Sequence, residues 1–213
     1  MQRRLADAQT AAGAPHLADA ASTWQEGRPG FDDRAVVVGD TALEVAATWR
    51  EAPAVRKPAM QGNPSVSFMF PGQGSQYPGM GRGLYESRPV FRDALDECAK
   101  ILGKYVDFDL IELMYPDESE MEAAAAEMQR PSRSLPCLFA MQYAQSKLWM
   151  SMGVKPEALI GHSMGENTAL CVAGGITLEE GLSLVAVRGK LQERAPEGGM
   201  VSVMASPEDI GRY

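Results

Sequence analysis

A serine set between two glycines, where a short apolar run would turn into a helix, constrains this chain more than any other feature. The run is Ala158-Leu159-Ile160-Gly161-His162-Ser163-Met164-Gly165-Glu166. Ala158 to Ile160 are apolar and short enough for a fully buried strand, and Asn167 to Ala173 continue in helix-compatible residues up to a stop at Gly174-Gly175. Ser163 therefore falls at the turn. Gly161 and Gly165 lack the Cβ atoms that would collide where strand and helix cross, so the hydroxyl can project from the C-terminal edge of a parallel sheet. The helix that follows turns its positive end and first N–H groups toward that hydroxyl, which favours a developing oxyanion. The same spacing also occurs in structural turns, so a second motif is needed to argue catalysis.

The flanking sequence predicts an α/β architecture. Val66 to Phe70 is almost wholly apolar and stops at Pro71-Gly72, as an interior strand of a parallel sheet would. Pro89 suits an early helical position, and Phe91, Leu95, Cys98 and Leu102 then share one face. Glu120 to Met128 reads as a short helix, and Leu135 to Met152 as a long one with Gln142, Gln145 and Ser146 on a polar stripe, ended by Gly153. Thr177-x-x-Glu180 is a capping box opening a helix to about Arg194.

Before Val66 the pattern is αβα. Leu17, Ala21 and Trp24 mark a helix ending at Gly27, and Ala35 to Val38 reads as a buried strand. Thr41-x-x-Glu44 then caps a helix that carries Leu43, Ala46, Ala47 and Trp49. Pro53, Pro58, Gly62 and Pro64 mark a connector, which puts a domain boundary near residue 64.

Composition excludes several classes. Among 213 residues, 28 Asp+Glu outweigh 20 Lys+Arg for a net charge of -8, and no basic run exists, which argues against nucleic-acid binding. Cys98, Cys137 and Cys171 are isolated among apolar neighbours, so they read as buried thiols of a reducing, cytoplasmic compartment, not as disulfides or a metal site. Arg3-Arg4 precedes no apolar segment, and no run of 18 apolar residues occurs, so neither secretion nor membrane spanning is expected.

Two further elements bear on chemistry. Pro71-Gly72-Gln73-Gly74-Ser75-Gln76 follows a predicted strand at the sheet edge where open α/β folds bind ligands. It is either a tight turn that needs its glycines or a loop that offers backbone N–H groups, and it lacks the Gly-Lys of a phosphate P-loop. Arg188 follows the apolar positions Leu178, Leu182 and Val185 at helical spacing, which turns its guanidinium inward. A charge there requires a partner. That partner is either a protein carboxylate such as Glu166 or a substrate carboxylate gripped by two parallel hydrogen bonds.

These elements, in their order and spacing, resemble the malonyl-CoA:acyl-carrier-protein transacylase family, and in particular the acyltransferase domains of modular polyketide synthases. The resemblance rests on Phe70-Pro71-Gly72-Gln73-Gly74-Ser75-Gln76, on Gly161-His162-Ser163-Met164-Gly165-Glu166, and on Arg188-Gly189-Lys190, which begins 25 residues after Ser163 (188 minus 163). Pro136-Cys137-Leu138-Phe139-Ala140 looks like the family's helix entry, and Leu17 to Arg34, with Gly27-Arg28 and Phe31, is similar to the linker that joins a ketosynthase to its acyltransferase. The implied organisation is a linker unit over 1–64, part of an α/β-hydrolase-like large subdomain with a buried parallel sheet over 65–198, and the start of a ferredoxin-like small subdomain over 199–213, whose first strand would carry Val201, Val203 and Met204 and whose helix would start at Ser206-Pro207-Glu208-Asp209.

The resemblance also implies roles. Ser163 would take an acyl group from coenzyme A as an ester and pass it to the phosphopantetheine thiol of an acyl carrier protein. Backbone N–H groups of Gln73 and Met164 would form the oxyanion hole. Arg188 would hold the carboxylate of a malonyl-type unit, with His162 as a second substrate-binding residue. No metal and no bound cofactor are implied, and the neighbouring ketosynthase is an expected partner. An apolar residue after the serine, here Met164, leans toward malonyl over methylmalonyl.

One departure stands out. Only His16 and His162 are present, and His162, beside the serine across a sharp turn, is badly placed to act as its base, so the chain reads as a piece of a larger synthase with little turnover alone. Two alternatives follow: an α/β-hydrolase-type serine esterase or thioesterase, against which Arg188 and the Gln73 loop speak, and a non-catalytic scaffold piece of a megasynthase.

Overall fold

The computed structural model describes residues 13–27, 29, 33–51, 57–58, 64–196, 198, 201 and 203–211. Its contacts divide the chain into two units, Met1–Pro64 and Ser65–Tyr213.

In the first unit, helix α1 (Leu17–Glu26) opens at His16, whose Nδ1 accepts the Ala18 N–H at 3.4 Å. Helix α2 (Ala42–Glu51) opens on the expected capping box. Glu44 N–H donates to Thr41 Oγ1 at 3.2 Å, and Glu44 Oε2 accepts from the backbone N–H groups of Thr41 and Asp40 at 3.2 and 3.0 Å. Trp24 of α1 and Trp49 of α2 meet edge to face, with centroids 5.5 Å apart.

One expectation fails in this unit. The strand placed at Ala35 to Val38 does not form, and Val36 and Val38 are 87% and 86% exposed. A run of valines has β-propensity but needs a neighbour for its hydrogen bonds. Pairing occurs just upstream instead, where strand β1 (Asp33–Arg34) runs antiparallel to β2 (Lys57–Pro58). On α2, Val45, Ala46 and Trp49 face inward while Leu43 and Ala47 turn out, because the buried stripe follows spacings of three and four from Ala42. The Arg28 and Phe31 of the linker-like stretch lie outside the described residues.

The second unit pairs strand β3 (Ser67–Phe70) parallel with β4 (Ala158–Gly161), Ser67 opposite Ala158 and Phe70 opposite Gly161. The ladder extends at both ends, Glu157 N–H donating to Val66 O at 2.8 Å and His162 N–H to Phe70 O at 3.0 Å. The expectation of wholly buried strands is corrected: Met69 and Ile160 are 76% and 53% exposed. Among the described residues this sheet has two strands, so alternate side chains on its open face meet solvent.

The core lies in the helices. After α3 (Arg82–Ser87), α4 (Pro89–Leu102) starts at Pro89 and buries Phe91, Leu95, Cys98 and Leu102 completely, as their spacing required. Truncating a Phe such as Phe91 in that setting costs about 3–5 kcal/mol. Helix α5 (Leu110–Met114) is a missed element, although its signal was present. Asp109 caps it by accepting the N–H groups of Ile111 and Glu112 at 2.8 and 3.0 Å. A 3₁₀ turn at Glu118–Glu120 leads into α6 (Met121–Glu127).

Helix α7 (Pro131–Ser151) packs between α4 and α9 (Leu178–Glu193). It begins four residues before the predicted start, because Pro131 occupies the first helical position, where its fixed φ and missing N–H cost nothing. Helix α9 carries the expected capping box and lies close against α7, because a Cβ on Gly181 would stand 2.6 Å from the Phe139 ring and one on Gly189 would stand 2.5 Å from the Pro131 carbonyl oxygen. Helix α8 (Gly165–Val172) follows the serine and packs on both strands.

Cys98, Cys137 and Cys171 are free and buried, and burial pushes the Cys137 thiol up to about 12. These thiols stay protonated at neutral pH and are poor nucleophiles. Toward the C-terminus, Val201, Val203 and Met204 are exposed and in no strand, while residues 199, 200 and 202 of the strand expected there lie outside the described residues. The helix start does form as α10 (Pro207–Ile210), capped by Ser206. No described helix is long and apolar enough to cross a membrane.

Candidate active site

Ser163 has φ +52°, a left-handed conformation that residues with side chains seldom adopt. Such backbone strain costs of order 1–3 kcal/mol and persists only where the surroundings enforce it. Here the enforcement is steric. A Cβ on Gly161 would fall on the backbone of Glu166, and one on Gly165 would fall on the carbonyl of Phe70. Strand β3, strand β4 and helix α8 thus cross with no room for a side chain, and Ser163 is left exposed at the tip.

The first helical N–H groups are less available than the sequence suggested. Gly165, Glu166 and Asn167 donate to the carbonyls of His162, Ser163 and Met164 at 2.9, 3.2 and 3.0 Å. The tight turn that presents the serine consumes them. Among the described residues no hydrogen bond occupies the backbone N–H of Met164 or of Gln73. The Met164 side chain itself is 1% exposed and sits in the core.

The Pro71–Gln76 loop lies against this turn. A Cβ on Gly72 would stand 2.9 Å from His162 Nδ1 and 3.3 Å from Ser163 Cβ, so the loop backbone passes directly beside the serine. The tight-turn reading holds at Gly74, which has φ +113° and spends its N–H within the loop on Gln76 Oε1 at 2.8 Å. Side chains tether the loop to its surroundings. Gln73 Nε2 donates to Ser134 Oγ at 3.0 Å, Gln76 Nε2 to Met128 O at 3.1 Å, and Gln142 Nε2 to Pro71 O at 2.8 Å.

Arg188 reaches the same place from α9. Its Nη2 lies 3.4 Å from Ser163 Oγ, at the long end of hydrogen-bond range. Among the described residues it pairs with no carboxylate, so the ion pair with Glu166 does not form, and Glu166 is exposed. The guanidinium keeps most of its donors open beside the hydroxyl, a geometry suited to a carboxylate. His162 is exposed and makes no hydrogen bond to Ser163 among the described residues.

The predicted stripe on α7 splits. Gln145 is exposed, whereas Gln142 and Ser146 are buried, and Gln142 Oε1 accepts the Thr168 hydroxyl at 2.8 Å. Sequence reasoning missed Ser134, Gln142 and Thr168 as loop and turn supports; the available signal was polar residues amid an apolar helix. A groove of about 740 Å³ runs between β3 and α7, lined by Phe68, Phe70, Met141 and Trp149, and does not include Ser163.

Comparison with known proteins agrees with this geometry. Residues 67–210 match the family described as acyl transferase domain. Spectinabilin polyketide synthase system protein NorA' of Streptomyces orinoci is 40% identical over 203 residues, covering 92% of this chain and 6% of that protein. The acyl transferase domain of ZmaA superposes with a TM-score of 0.81 at 37% identity, over 93% of this chain and 46% of that one. A type II polyketide synthase acyl-carrier protein in complex with its malonyl-transacylase gives a TM-score of 0.54 at 35% identity, over 63% of this chain and 41% of that one. This chain spans a small part of the curated synthase and about half of the solved acyl transferase domain. With serine, loop and arginine converging as they do, the chain belongs to the acyl transferase domain family, in the form carried by modular polyketide synthases.

Proposed function

We propose that Ser163 accepts a malonyl-type acyl group from coenzyme A as an ester and yields it to the phosphopantetheine thiol of an acyl carrier protein. The observation that carries this reading is the Arg188 guanidinium 3.4 Å from the Ser163 hydroxyl, paired with no carboxylate among the described residues. An esterase acting on neutral acyl groups has no use for such a cation, whereas a diacid half-thioester brings the missing anion. In the first step the serine oxygen attacks the thioester carbonyl, the C–S bond breaks, and coenzyme A leaves as the thiol. The backbone N–H groups of Gln73 and Met164 receive the oxyanion. In the second step the carrier's thiol displaces the serine.

The solved acyl-carrier-protein complex of a malonyl-transacylase supports a carrier protein as acceptor here. A ketosynthase as neighbour belongs to the same proposal, supported by the likeness of Leu17 to Arg34 to the linker that joins one to its acyltransferase. The Met164 side chain lies in the core, so the lean toward malonyl over methylmalonyl gains no direct contact from it. Linker and small-subdomain roles for 1–64 and 199–213 belong to the same proposal. His162 is assigned to substrate binding and not to deprotonation of Ser163, a reading supported by its exposure beside Gly72.

Intact-mass measurement after incubation with malonyl-CoA tests this. One malonyl adduct is expected, abolished by Ser163→Ala. Arg188→Ala lowers malonyl loading by about 10–100-fold, the worth of a charge-assisted hydrogen bond, and leaves acetyl loading nearly unchanged. Equal loss on both thioesters, or release of free malonate faster than transfer to a carrier, overturns the reading.

A further inference from the structure

The two halves of the site are joined by a single carboxamide. Gln142, 6% exposed on α7, donates from Nε2 to Pro71 O at 2.8 Å and accepts at Oε1 from the Thr168 hydroxyl at 2.8 Å. Pro71 opens the loop that carries the Gln73 N–H. Thr168, 0% exposed, lies on α8, the helix that begins just after Ser163 and Met164. A carbonyl oxygen demands a donor and the threonine hydroxyl supplies one, so the amide has one workable orientation between them. The planar group therefore ties loop to turn, through a buried bond to Thr168 and a part-buried one to Pro71.

We infer that Gln142, with Thr168, is a positioning residue that sets the Gln73 N–H against the Met164 N–H across Ser163. This rests on the reading of Ser163 as the acyl-accepting nucleophile. Neither side chain touches substrate. Replacing Gln142 by leucine would leave the buried Thr168 hydroxyl without its partner and release the Pro71 carbonyl, which lies on an exposed loop free to move toward solvent. An oxyanion donor displaced by even an ångström loses much of its effect on the transition state while ground-state binding through Arg188 persists. The signature is thus a fall in maximal rate at nearly constant KM.

Two readouts on the full 213-residue chain decide the matter. The first is amide exchange at Gly74, whose N–H is held by Gln76 Oε1, against the amides of α4 as a reference for global stability. Gln142→Leu should speed Gly74 exchange about tenfold more than it speeds α4, and Thr168→Val by a smaller factor. The second is the rate of Ser163 malonylation. Gln142→Leu should lower the saturating rate by about tenfold, below the full loss of an oxyanion donor, with KM within a factor of about two. Thr168→Ser keeps the hydroxyl and should behave as wild type.

Unchanged Gly74 exchange in Gln142→Leu, or a rate loss carried by KM alone, overturns the inference. Should Gln142→Leu fail to fold, Thr168→Val, which removes one of the two bonds, decides by the same criteria. Should the unaltered chain form no malonyl-serine at all, the nucleophile reading falls, and the exchange arm alone decides whether Gln142 holds the loop.

Discussion

The turn that presents Ser163 and the loop that lies beside it reach equal definition by opposite means. At the turn, backbone meets backbone: Gly161 and Gly165 leave no space for a Cβ, and Ser163 is forced to φ +52°. In the loop, side chains do the holding, with Gln73, Gln76 and Gln142 bonded to Ser134, to the Met128 carbonyl and to the Pro71 carbonyl. Steric enforcement is short-ranged and tolerates no added atom. Polar tethering is graded, because each bond contributes about a kilocalorie per mole and can be removed singly. The serine's position is therefore fixed by the crossing itself, whereas the loop that carries the Gln73 N–H depends on several distant residues.

The sharpest break of this contrast is Gly165→Ala. Its Cβ falls on the Phe70 carbonyl, so the strand and helix must separate, at a cost of about 3 kcal/mol or more. Thermal unfolding should show a large drop in Tm and no malonyl loading. Retention of a native Tm would mean the crossing is softer than its packing indicates.

Next in size is Gln76→Leu. It removes the donor to Met128 O and the acceptor of Gly74 N–H, leaving a buried carbonyl unpaired for about 2 kcal/mol. Denaturant unfolding should register that loss, and malonylation should fall in rate while the turn's own amides stay protected. A change spread evenly over turn and loop would erase the distinction drawn above.

The smallest effect belongs to the start of α9, the helix that carries Arg188. Hydrogen bonds from the Thr177 backbone and hydroxyl hold the Glu180 carboxyl below its ordinary value of 4.5. Because the folded-state value is lowered, this stabilisation is present above the unfolded value and is lost as pH falls through the folded one. Thr177→Ala should lower Tm by a few degrees at pH 7, the usual scale for a lost helix cap in a domain of this size. It should also flatten the fall of Tm below pH 4.5, where Glu180 in the intact cap takes up its proton. An unaltered acid limb would show that the cap contributes nothing to that dependence.

Much of the site was legible in sequence because its requirements are local. Gly161 and Gly165 flank Ser163 within one turn, Thr177 and Glu180 cap their own helix, and Pro89 with Phe91, Leu95, Cys98 and Leu102 wrote out a helix face directly. Arg188 was readable as inward-facing from its spacing after Val185, but the choice between Glu166 and an open partner depended on which loops come near it in space.

What the chain's order of residues determined alone was the kind of backbone each segment takes, since propensity, capping and glycine sterics act over a few neighbours. Three outcomes belonged to tertiary structure. Among the described residues, Ala35 to Val38 have no partner strand and stay out of a sheet, and Met69 and Ile160 face solvent on a sheet of two strands. Gln142, one of the three residues of the expected polar stripe, became the link between loop and turn while Gln145 remained outside. Hydrogen bonds between residues 71 and 142, or 142 and 168, have no signature in local pattern, because they exist only once α7, α8 and the loop are brought together by burial of their apolar neighbours.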